Sequence, residues 1–241
     1  MVSNYTGNCD IIVWSNRYYL TMLKYYWANI KLVENQQIFD ILYDEMNEQR
    51  RSKILRCKNV LDKRRSLLAG VLLKYALEKE GLSYKDIEFV KSENGKPSIS
   101  GTLNLHFSLT HSGEYVGCLI GEIPVGLDME SIERPVFTPG KESRMEALVH
   151  KCLSSSELEY FKNTDDKKRL FLEFWTKKES YSKAIGKGLQ MDFSQIDTIK
   201  MQEKFWSEWN EDGYCVSMYK EDGNYSNLIT EELQTCPFSC S

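Results

Sequence analysis

An amphipathic segment that ends in a glycine turn constrains this chain most. Residues 175–189 read WTKKESYSKAIGKGL, and apolar side chains recur at a helical spacing from Phe171 to Ile185. Gly186 follows at the position where many helices end in glycine. The pattern therefore predicts a helix that packs through one face and ends at Gly186.

One row of this predicted helix combines an aromatic, an acidic and a basic residue. Trp175, Glu179 and Lys183 are spaced four apart, which places them in one row along the border of the apolar face. The simplest interpretation is a surface Glu–Lys pair, worth ~0.3–0.5 kcal/mol. Lys178 favours a ligand site instead, because it falls near the centre of the apolar face, where an unpaired lysine is costly. Glycines on both sides of Lys187 also allow the backbone to approach a ligand closely.

A run of basic residues stands out in a chain that is acidic overall. The 241 residues carry a formal net charge of −4, so we expect no general attraction for nucleic acid. Residues 44–80 have the apolar spacing of helices, end at Gly81 and contain the densest positive run. This run comprises Arg50, Arg51, Lys53, Arg56, Lys58, Lys63, Arg64 and Arg65. Most of such a run is typical of a solvated helix face, but its guanidinium groups also suit phosphate oxygens.

Between residues 86 and 130 the apolar spacing changes to alternation, which predicts β-strands. Leu103–Leu109 alternates as a half-buried strand does and leads into Thr110 and His111, and Tyr115–Ile120 predicts the next strand. A lone histidine is more often a structural hydrogen-bonding residue than a catalyst. The small polar neighbours of His111 also fit contact with a phosphate.

Asp128 and Glu130 are the second chemical signal. They are two residues apart on a predicted strand, so their side chains project from the same face. Neighbouring carboxylates repel each other unless a cation lies between them or one takes up a proton. The pair is therefore either two exposed acids at a strand end or part of a Mg²⁺ site, which typically combines carboxylates with substrate phosphates.

The remaining segments carry weaker patterns. Helices are predicted over Tyr18–Trp27, Ile38–Tyr43 and Arg144–Cys152, and another after an N-cap in the serines of residues 154–157. Strands are predicted over Ile11–Trp14, Asp86–Val90, Phe193–Ile199, Tyr214–Tyr219 and Tyr225–Thr230, with turns at Asn94-Gly95 and at residues 221–224. We expect the C-terminal tail to be frayed.

Composition and cysteine content indicate the class of protein. Hydrophobic residues make up 41% and charged residues 27%, which is typical of a globular protein. No apolar run approaches the ~18–20 residues of a transmembrane helix, and the first residues lack the pattern of a secretory signal. Seven cysteines, an odd number without a CxxC motif, favour free thiols in a reducing cytoplasm. A zinc site at Cys236 and Cys240 is not expected in a chain with three histidines.

Three motifs occur in a defined order. The first is Gly95-Lys96-Pro97, followed by a strand that ends in FSLTHSG at residues 107–113. The second is GLDME at residues 126–130, and the third is the segment at residues 175–189. Together they resemble the Sfp-type 4′-phosphopantetheinyl transferase family over about residues 45–190. Thr110 stands where this family often has serine, and the hydroxyl group is kept.

The resemblance implies an α+β fold. Two similar α/β halves, residues 1–122 and 123–241, would be related by a pseudo-twofold axis and divide near Gly121–Pro124. The cleft between them would bind CoA and Mg²⁺. The implied reaction moves 4′-phosphopantetheine from CoA to a serine of an acyl or peptidyl carrier protein, and adenosine 3′,5′-bisphosphate leaves.

The resemblance also assigns roles to residues. Asp128, Glu130 and Glu179 would hold Mg²⁺, and Asp128, Glu179 and Lys183 would be catalytic. Glu179 would accept the serine proton and Lys183 would neutralise phosphate oxygens. The residues that would hold CoA are Arg50, Lys53, Ser66, Lys96, Thr110, His111 and Lys183.

Three alternatives compete with this transferase. The protein could be a non-catalytic CoA- or nucleotide-binding module, a metal-dependent phosphohydrolase, or a structural interaction protein. The Asp128, Glu130, Glu179 and Lys183 set favours an enzyme, because binding alone needs no base beside a metal. We expect a cytoplasmic monomer with no membrane or nucleic-acid partner.

Overall fold

The computed structural model describes residues 22–91, 95–101, 104–134, 140–188 and 191–238. These residues form an α+β fold. The helices are α1 (Gln36–Asp44), α2 (Glu48–Arg56), α3 (Val60–Lys79), α4 (Glu142–Cys152), α5 (Ser155–Lys162) and α6 (Lys167–Ile185). The strands are β1 (Leu23–Asn29), β2 (Phe89–Lys91), β3 (Pro97–Ile99), β4 (His106–Ser112), β5 (Tyr115–Gly121), β6 (Val125–Ser131), β7 (Phe205–Trp209), β8 (Tyr214–Lys220) and β9 (Leu228–Glu232).

Side-chain caps define where most helices begin. An oxygen of the residue before the helix accepts a backbone N–H of its first turn in every described helix except α4. The caps are Asn35, Asn47, Asn59, Ser154 and Asp166. The predicted cap in the serine run is confirmed, because Ser154 forms a capping box with Glu157. The predicted end of α6 is also confirmed, since Gly186 adopts φ 72°.

Two main sheets organise the molecule. The first has the strand order β4-β5-β1-β9, in which β9 is parallel to β1, and the second has the order β6-β8-β7. The fully buried apolar side chains of α3, such as Leu68 and Leu72, share a core with Val116 of β5. Helix α6 packs on β6 and β8 of the second sheet. The division into halves at residues 122 and 123 and the pseudo-twofold axis stay predictions; β9 follows the second sheet in the chain but joins the first.

Strands β4 and β6, each at an edge of its sheet, meet through side chains. The Ser108 hydroxyl accepts the Leu127 N–H at 3.0 Å, and the Ser112 hydroxyl accepts the Ser131 N–H at 3.1 Å. Ser108 and Thr110 are consequently buried, so the prediction of a half-buried β4 was wrong. The polar face of this strand lies on β6 rather than in solvent.

Three further predictions about elements were wrong. Residues 23–27 of the helix expected over Tyr18–Trp27 belong to β1, because Tyr25 and Tyr26 are buried in cores on opposite faces and no two-residue alternation is visible. Phe193–Gln195 is a 3₁₀ turn rather than a strand, since the carbonyls of Phe193 and Ile196 accept hydrogen bonds from a lysine. Strand β9 starts at Leu228 and pairs with β1, so it forms no hairpin with β8.

The described part of the tail is packed, in contrast to the frayed end that we expected. Leu233 is buried, and its N–H donates to the Trp27 carbonyl at 2.8 Å. The Phe238 ring centroid lies 3.4 Å from the Lys74 ammonium. The tail therefore covers part of the core beneath α3.

Several predictions lie outside the described residues, including the strand Ile11–Trp14, the turn residue Asn94, Leu103 and Leu189. The described cysteines are free thiols, as expected. No helix of the described ranges has the length and apolar character needed to cross a membrane.

Candidate active site

The glycine of the GLDME motif brings strand β6 against helix α6. A Cβ atom on Gly126 would lie only 1.7 Å from the Ser180 carbonyl oxygen and 2.8 Å from the Ala184 nitrogen. Both are backbone atoms, so a larger residue would force the helix away. Because β6 and α6 approach closely at Gly126, the Asp128 side chain on β6 lies near the part of α6 that contains Ser180 and Ala184.

Lys183 and Asp128 form the centre of the site. The Lys183 ammonium lies 2.7 Å from Asp128 Oδ1 and also donates to Thr110 Oγ1 at 3.1 Å and to the Leu127 carbonyl at 2.9 Å. The Thr110 hydroxyl in turn donates to Asp128 Oδ1 at 3.2 Å. Asp128 is 6% exposed, and its other oxygen, Oδ2, is buried without a hydrogen-bond partner. A buried carboxylate oxygen without a partner is costly, so it is a candidate contact for a ligand.

Glu130 lies two residues further along β6 and has its own partners. Its Oε1 is 2.9 Å from Arg134 Nη1, and the Ser112 hydroxyl donates to Oε2 at 2.9 Å. Burial and the charge of Asp128 raise the pKa of Glu130, while Arg134 and the Ser112 hydrogen bond oppose the rise. The two carboxylates thus repel each other, as their spacing predicts.

Glu179 has the most perturbed carboxyl of this region. Burial first, and then the negative charge of Asp128, raise its pKa from 4.5 to about 7, against the opposing effect of Lys183. A carboxyl with this pKa exchanges a proton near neutral pH. It therefore has the property that a general base requires.

The implied Mg²⁺ can be tested against this donor set. Among the described residues, no three His, Cys, Asp or Glu side chains are arranged as a metal site. The chemistry nevertheless fits, because Asp128 Oδ2 is buried without a partner, and burial together with neighbouring carboxylates raises the pKa of Glu130 and of Glu179. Mg²⁺ takes oxygen ligands and usually needs only one or two protein carboxylates, with waters and phosphates for the rest.

A basic cleft adjoins Lys183. Its volume is about 280 Å³, and its lining includes Arg50, Lys53, Lys96, Lys183, Gly186 and Gly188. Lys96 donates to the Ala184 carbonyl at 2.9 Å, which ties the GKP motif to the end of α6. Burial lowers the pKa of Lys96 and of Lys53, and the neighbouring charge of Arg50 adds to the effect on Lys53. Partly desolvated cations in a cleft favour a polyanionic ligand.

Several residues of the predicted site have buried polar atoms without a hydrogen-bond partner. In the described part of the chain these atoms are Arg50 Nη1, Ser66 Oγ, Asp128 Oδ2 and Trp175 Nε1. Arg50 packs against α3, where a Cβ on Gly70 would lie 3.0 Å from its Cγ. Ser66 lies one helical turn before Gly70 but does not line the 280 Å³ cleft. The burial of Arg50 also lowers the pKa of its guanidinium.

His111 lies at an exposed position near the end of β4. Loss of water around its ring lowers the pKa of the imidazole, and the positive charges of Arg65, Lys183 and Lys53 lower it further. The lowered pKa favours the neutral imidazole, which can donate one hydrogen bond to a ligand.

Lys178 is not a ligand-binding residue, so this part of the sequence interpretation was wrong. Its ammonium is fully buried 2.5 Å from Glu157 and donates to the carbonyls of Cys152, Phe193 and Ile196. These bonds hold the end of α4 and the 193–196 turn on α6. Lys178 therefore supports the helix that carries its neighbour Glu179.

Sequence reasoning missed several residues of the site. Arg134 pairs with Glu130, and its guanidinium lies 5.0 Å from the Trp175 ring. Ser112 binds Glu130, and Ser108 binds the backbone of β6. The two-residue spacing of the hydroxyls at 108, 110 and 112 was the available signal for a polar interface.

Comparisons with known proteins agree across most of the chain. Residues 33–122 match the family model described as 4′-phosphopantetheinyl transferase, N-terminal, and residues 124–227 match that of the 4′-phosphopantetheinyl transferase superfamily. The 4′-phosphopantetheinyl transferase gsp of Aneurinibacillus migulanus is 30% identical over 210 residues, covering 86% of this chain and 79% of its own. The 4′-phosphopantetheinyl transferase Sfp of Bacillus subtilis (strain 168) is 30% identical over 173 residues, covering 70% and 71%.

More distant proteins are also similar. The L-aminoadipate-semialdehyde dehydrogenase-phosphopantetheinyl transferase of Saccharomyces cerevisiae is 29% identical over 188 residues, covering 71% of this chain and 66% of its own. The solved holo-[acyl-carrier-protein] synthase of Thermotoga maritima is 19% identical with a TM-score of 0.31, covering 40% of this chain and 61% of its own. The adjacent family matches and the relatives at 30% identity show that this chain belongs to the 4′-phosphopantetheinyl transferase family.

Proposed function

We propose that this protein transfers the 4′-phosphopantetheine arm of CoA to a serine hydroxyl of an acyl or peptidyl carrier protein in a Mg²⁺-dependent reaction. One observation carries the proposal: buried Asp128, whose Oδ2 has no partner, pairs with the partly exposed Lys183 beside the basic cleft that Lys183 lines. Membership of the transferase family supports it.

The proposed CoA site uses the cations of the cleft. Lys53, Lys96 and Arg50 would bind the phosphates, because desolvated ammonium and guanidinium groups pair strongly with phosphate oxygens. His111 and the Ser66 hydroxyl would donate further hydrogen bonds, and Thr110, whose hydroxyl proton bonds to Asp128, would act by holding Lys183 beside the phosphates. A ligand oxygen beside Arg50 Nη1 would remove the cost of leaving this buried atom unpaired, because Arg50 lines the cleft.

Proton and charge transfer would depend on α6. A bond forms between the serine oxygen and the phosphorus that carries the pantetheine arm, and the bond from this phosphorus to the bridging pyrophosphate oxygen breaks. Glu179 would accept the serine proton, directly or through a water. Lys183 would neutralise the leaving phosphate while Asp128 and Thr110 hold its ammonium in place. Mg²⁺ held by Asp128, Glu130 and Glu179 would supply further neutralisation of the pyrophosphate charge.

Intact-mass spectrometry tests the proposal directly. An apo carrier protein incubated with this protein, CoA and Mg²⁺ should gain the mass of one phosphopantetheine, and EDTA should abolish the gain. We expect Asp128→Ala and Lys183→Ala to lower the rate of transfer at least about 100-fold, as expected when charge stabilisation of a transition state is lost. Asp40→Ala, which changes an exposed carboxylate of α1, is the matched control and should be fully active.

The alternatives give different results in the same assay. A non-catalytic binding module would bind CoA without changing any carrier, and a phosphohydrolase would cleave CoA without a carrier. Near-normal turnover of Asp128→Ala at saturating Mg²⁺ would refute its role, and a Lys183→Ala variant that only binds carrier more weakly would refute the role of Lys183. We also propose that the protein is a cytoplasmic monomer without membrane or nucleic-acid partners.

A further inference from the structure

The connection between α2 and α3 exposes a cluster of large apolar side chains. Leu55, Val60 and Leu61 are 67%, 62% and 47% exposed, and they are three of the eight large hydrophobic residues exposed in the described ranges. The core-facing side of α2 is already occupied by Ile54, which is 1% exposed. Single exposed apolar residues are common, whereas clusters of them mark interaction surfaces.

Unpaired positive charge surrounds this cluster. In the described part of the chain, Arg56 and Lys58 form no salt bridge, whereas the nearby Arg64 and Arg65 pair with acidic residues. Both Arg56 and Lys58 are exposed. We call the surface formed by Leu55, Arg56, Lys58, Val60 and Leu61 the α2–α3 corner. In a protein with a net charge of −4, such a surface complements an acidic partner that also offers apolar side chains.

The α2–α3 corner adjoins the candidate active site. Arg56 lines a cavity of about 250 Å³ together with Arg50 and Lys53. Lys53 also lines the 280 Å³ cleft that contains Lys183. A protein seated on the corner would therefore have part of its surface at the mouth of the cleft, where an acceptor hydroxyl must arrive.

We propose that the α2–α3 corner is the docking surface for the carrier protein, which would bind it through an acidic face with apolar residues near the acceptor serine. The inference rests on the proposed function and adds the surface that recognises the substrate. Three apolar side chains form a small patch compared with the interface of a stable dimer, which usually buries about 1,200–2,000 Å². A small patch rimmed by positive charge suits a substrate that must bind and leave in each turnover.

Steady-state kinetics with a carrier that the wild-type protein modifies tests this inference. The Leu55→Glu/Leu61→Glu double variant should raise the KM for the carrier at least about tenfold, because it removes both the apolar contacts and the local positive potential. The kcat at saturating carrier and the KM for CoA should remain within about twofold of wild type. Ile229→Glu, which changes another exposed apolar residue, on β9, is the matched control and should leave all three constants unchanged.

A second variant isolates the charge. Lys58→Glu should raise the KM for the carrier, and added salt should reduce the difference from wild type because the attraction is screened. An unchanged KM in both variants would overturn the inference, as would a parallel loss of CoA binding, which would assign the corner to the CoA site. Failure of the wild-type protein to modify any carrier would instead overturn the proposed function.

The oligomeric state separates the carrier from a second copy of the chain. Sedimentation of the wild-type protein and of the Leu55→Glu/Leu61→Glu variant should give the same mass. A wild-type dimer that this substitution converts to a monomer would assign the corner to self-association and overturn the inference.

Discussion

In the metal-free protein, Glu179 destabilises the folded state at neutral and higher pH, and a glutamine at this position would not. Burial and the charges of Asp128 and Glu130 raise the pKa of its carboxyl from 4.5 to about 7. Because the folded-state pKa lies above the unfolded one, this group favours folding fully below about pH 4.5, and the contribution is lost as the pH rises through 7. We therefore expect Glu179→Gln, which cannot ionise, to stabilise the metal-free protein above pH 7.

The structure sets the size of this effect. A pKa that moves from 4.5 to about 7 corresponds to at most about 3.5 kcal/mol, at about 1.4 kcal/mol per pH unit. Glu179 is only partly buried, and solvent screening reduces this to about 1 kcal/mol. For a chain of 241 residues, 1 kcal/mol corresponds to about 2–4 °C in Tm. At pH 5 the gain should be smaller, because the folded-state carboxyl is then protonated and, like the amide, neutral and similar in shape.

Thermal denaturation in EDTA at pH 5 and pH 8 measures this prediction. Glu159→Gln, which changes an exposed glutamate of α5, is the matched control and should show no gain specific to pH 8. Excess Mg²⁺ at pH 8 should raise the Tm of the wild type more than that of Glu179→Gln, since a carboxylate binds Mg²⁺ better than an amide does. Equal stability of the two proteins at pH 8, or a less stable Gln variant, would refute the reasoning.

Substitutions at two other positions test the contacts that hold α6 in place beside the site. Lys178→Met would leave Glu157 buried and unpaired, so urea denaturation should show that the free energy of unfolding falls by about 3–5 kcal/mol. The control Lys177→Met removes a more exposed pair and should lower it by no more than about 1 kcal/mol. Equal losses in the two variants would contradict the structural role of the buried pair. Gly126→Ala should cost about 1–3 kcal/mol and slow transfer at least about tenfold, because α6 must move away from β6. Gly121→Ala, whose Cβ would meet a valine methyl at 3.0 Å, should be milder in both assays, and a Gly126→Ala variant of normal stability and activity would argue against the close approach.

Local patterns in the sequence predicted the elements that carry the candidate site. The apolar spacing before Gly186 predicted α6 and its end, and alternation placed Asp128 and Glu130 on one face of a strand. Turn and cap residues act over a few positions, so one sequence contains the information. The roles assigned to the site residues stay predictions, because they came from motif resemblance.

Long-range partners could not be predicted in the same way. The burial of Lys178 was expected, but its partner Glu157 lies 21 residues earlier in the chain and belongs to the cap of another helix. Strand β1 was misread because it is buried on both faces, and its parallel neighbour β9 is about 200 residues away in the chain. In both cases the contact depends on which distant elements lie together in the fold. The spacing of apolar residues along the chain does not contain that information.

The interface between the two main sheets links stability to the candidate chemistry. Backbone groups at the edge of β6 find partners in side chains: Ser108 accepts the Leu127 N–H, and Lys183 donates to the carbonyl of the same residue. The ammonium that satisfies this edge is also the one that pairs with Asp128. Changes that move β4, β6 or α6 therefore alter the position of the Lys183 charge even when no site residue is replaced. Destabilised variants at this interface should lose transfer activity before they unfold, whereas equally destabilised variants in the core beneath α3 should keep it.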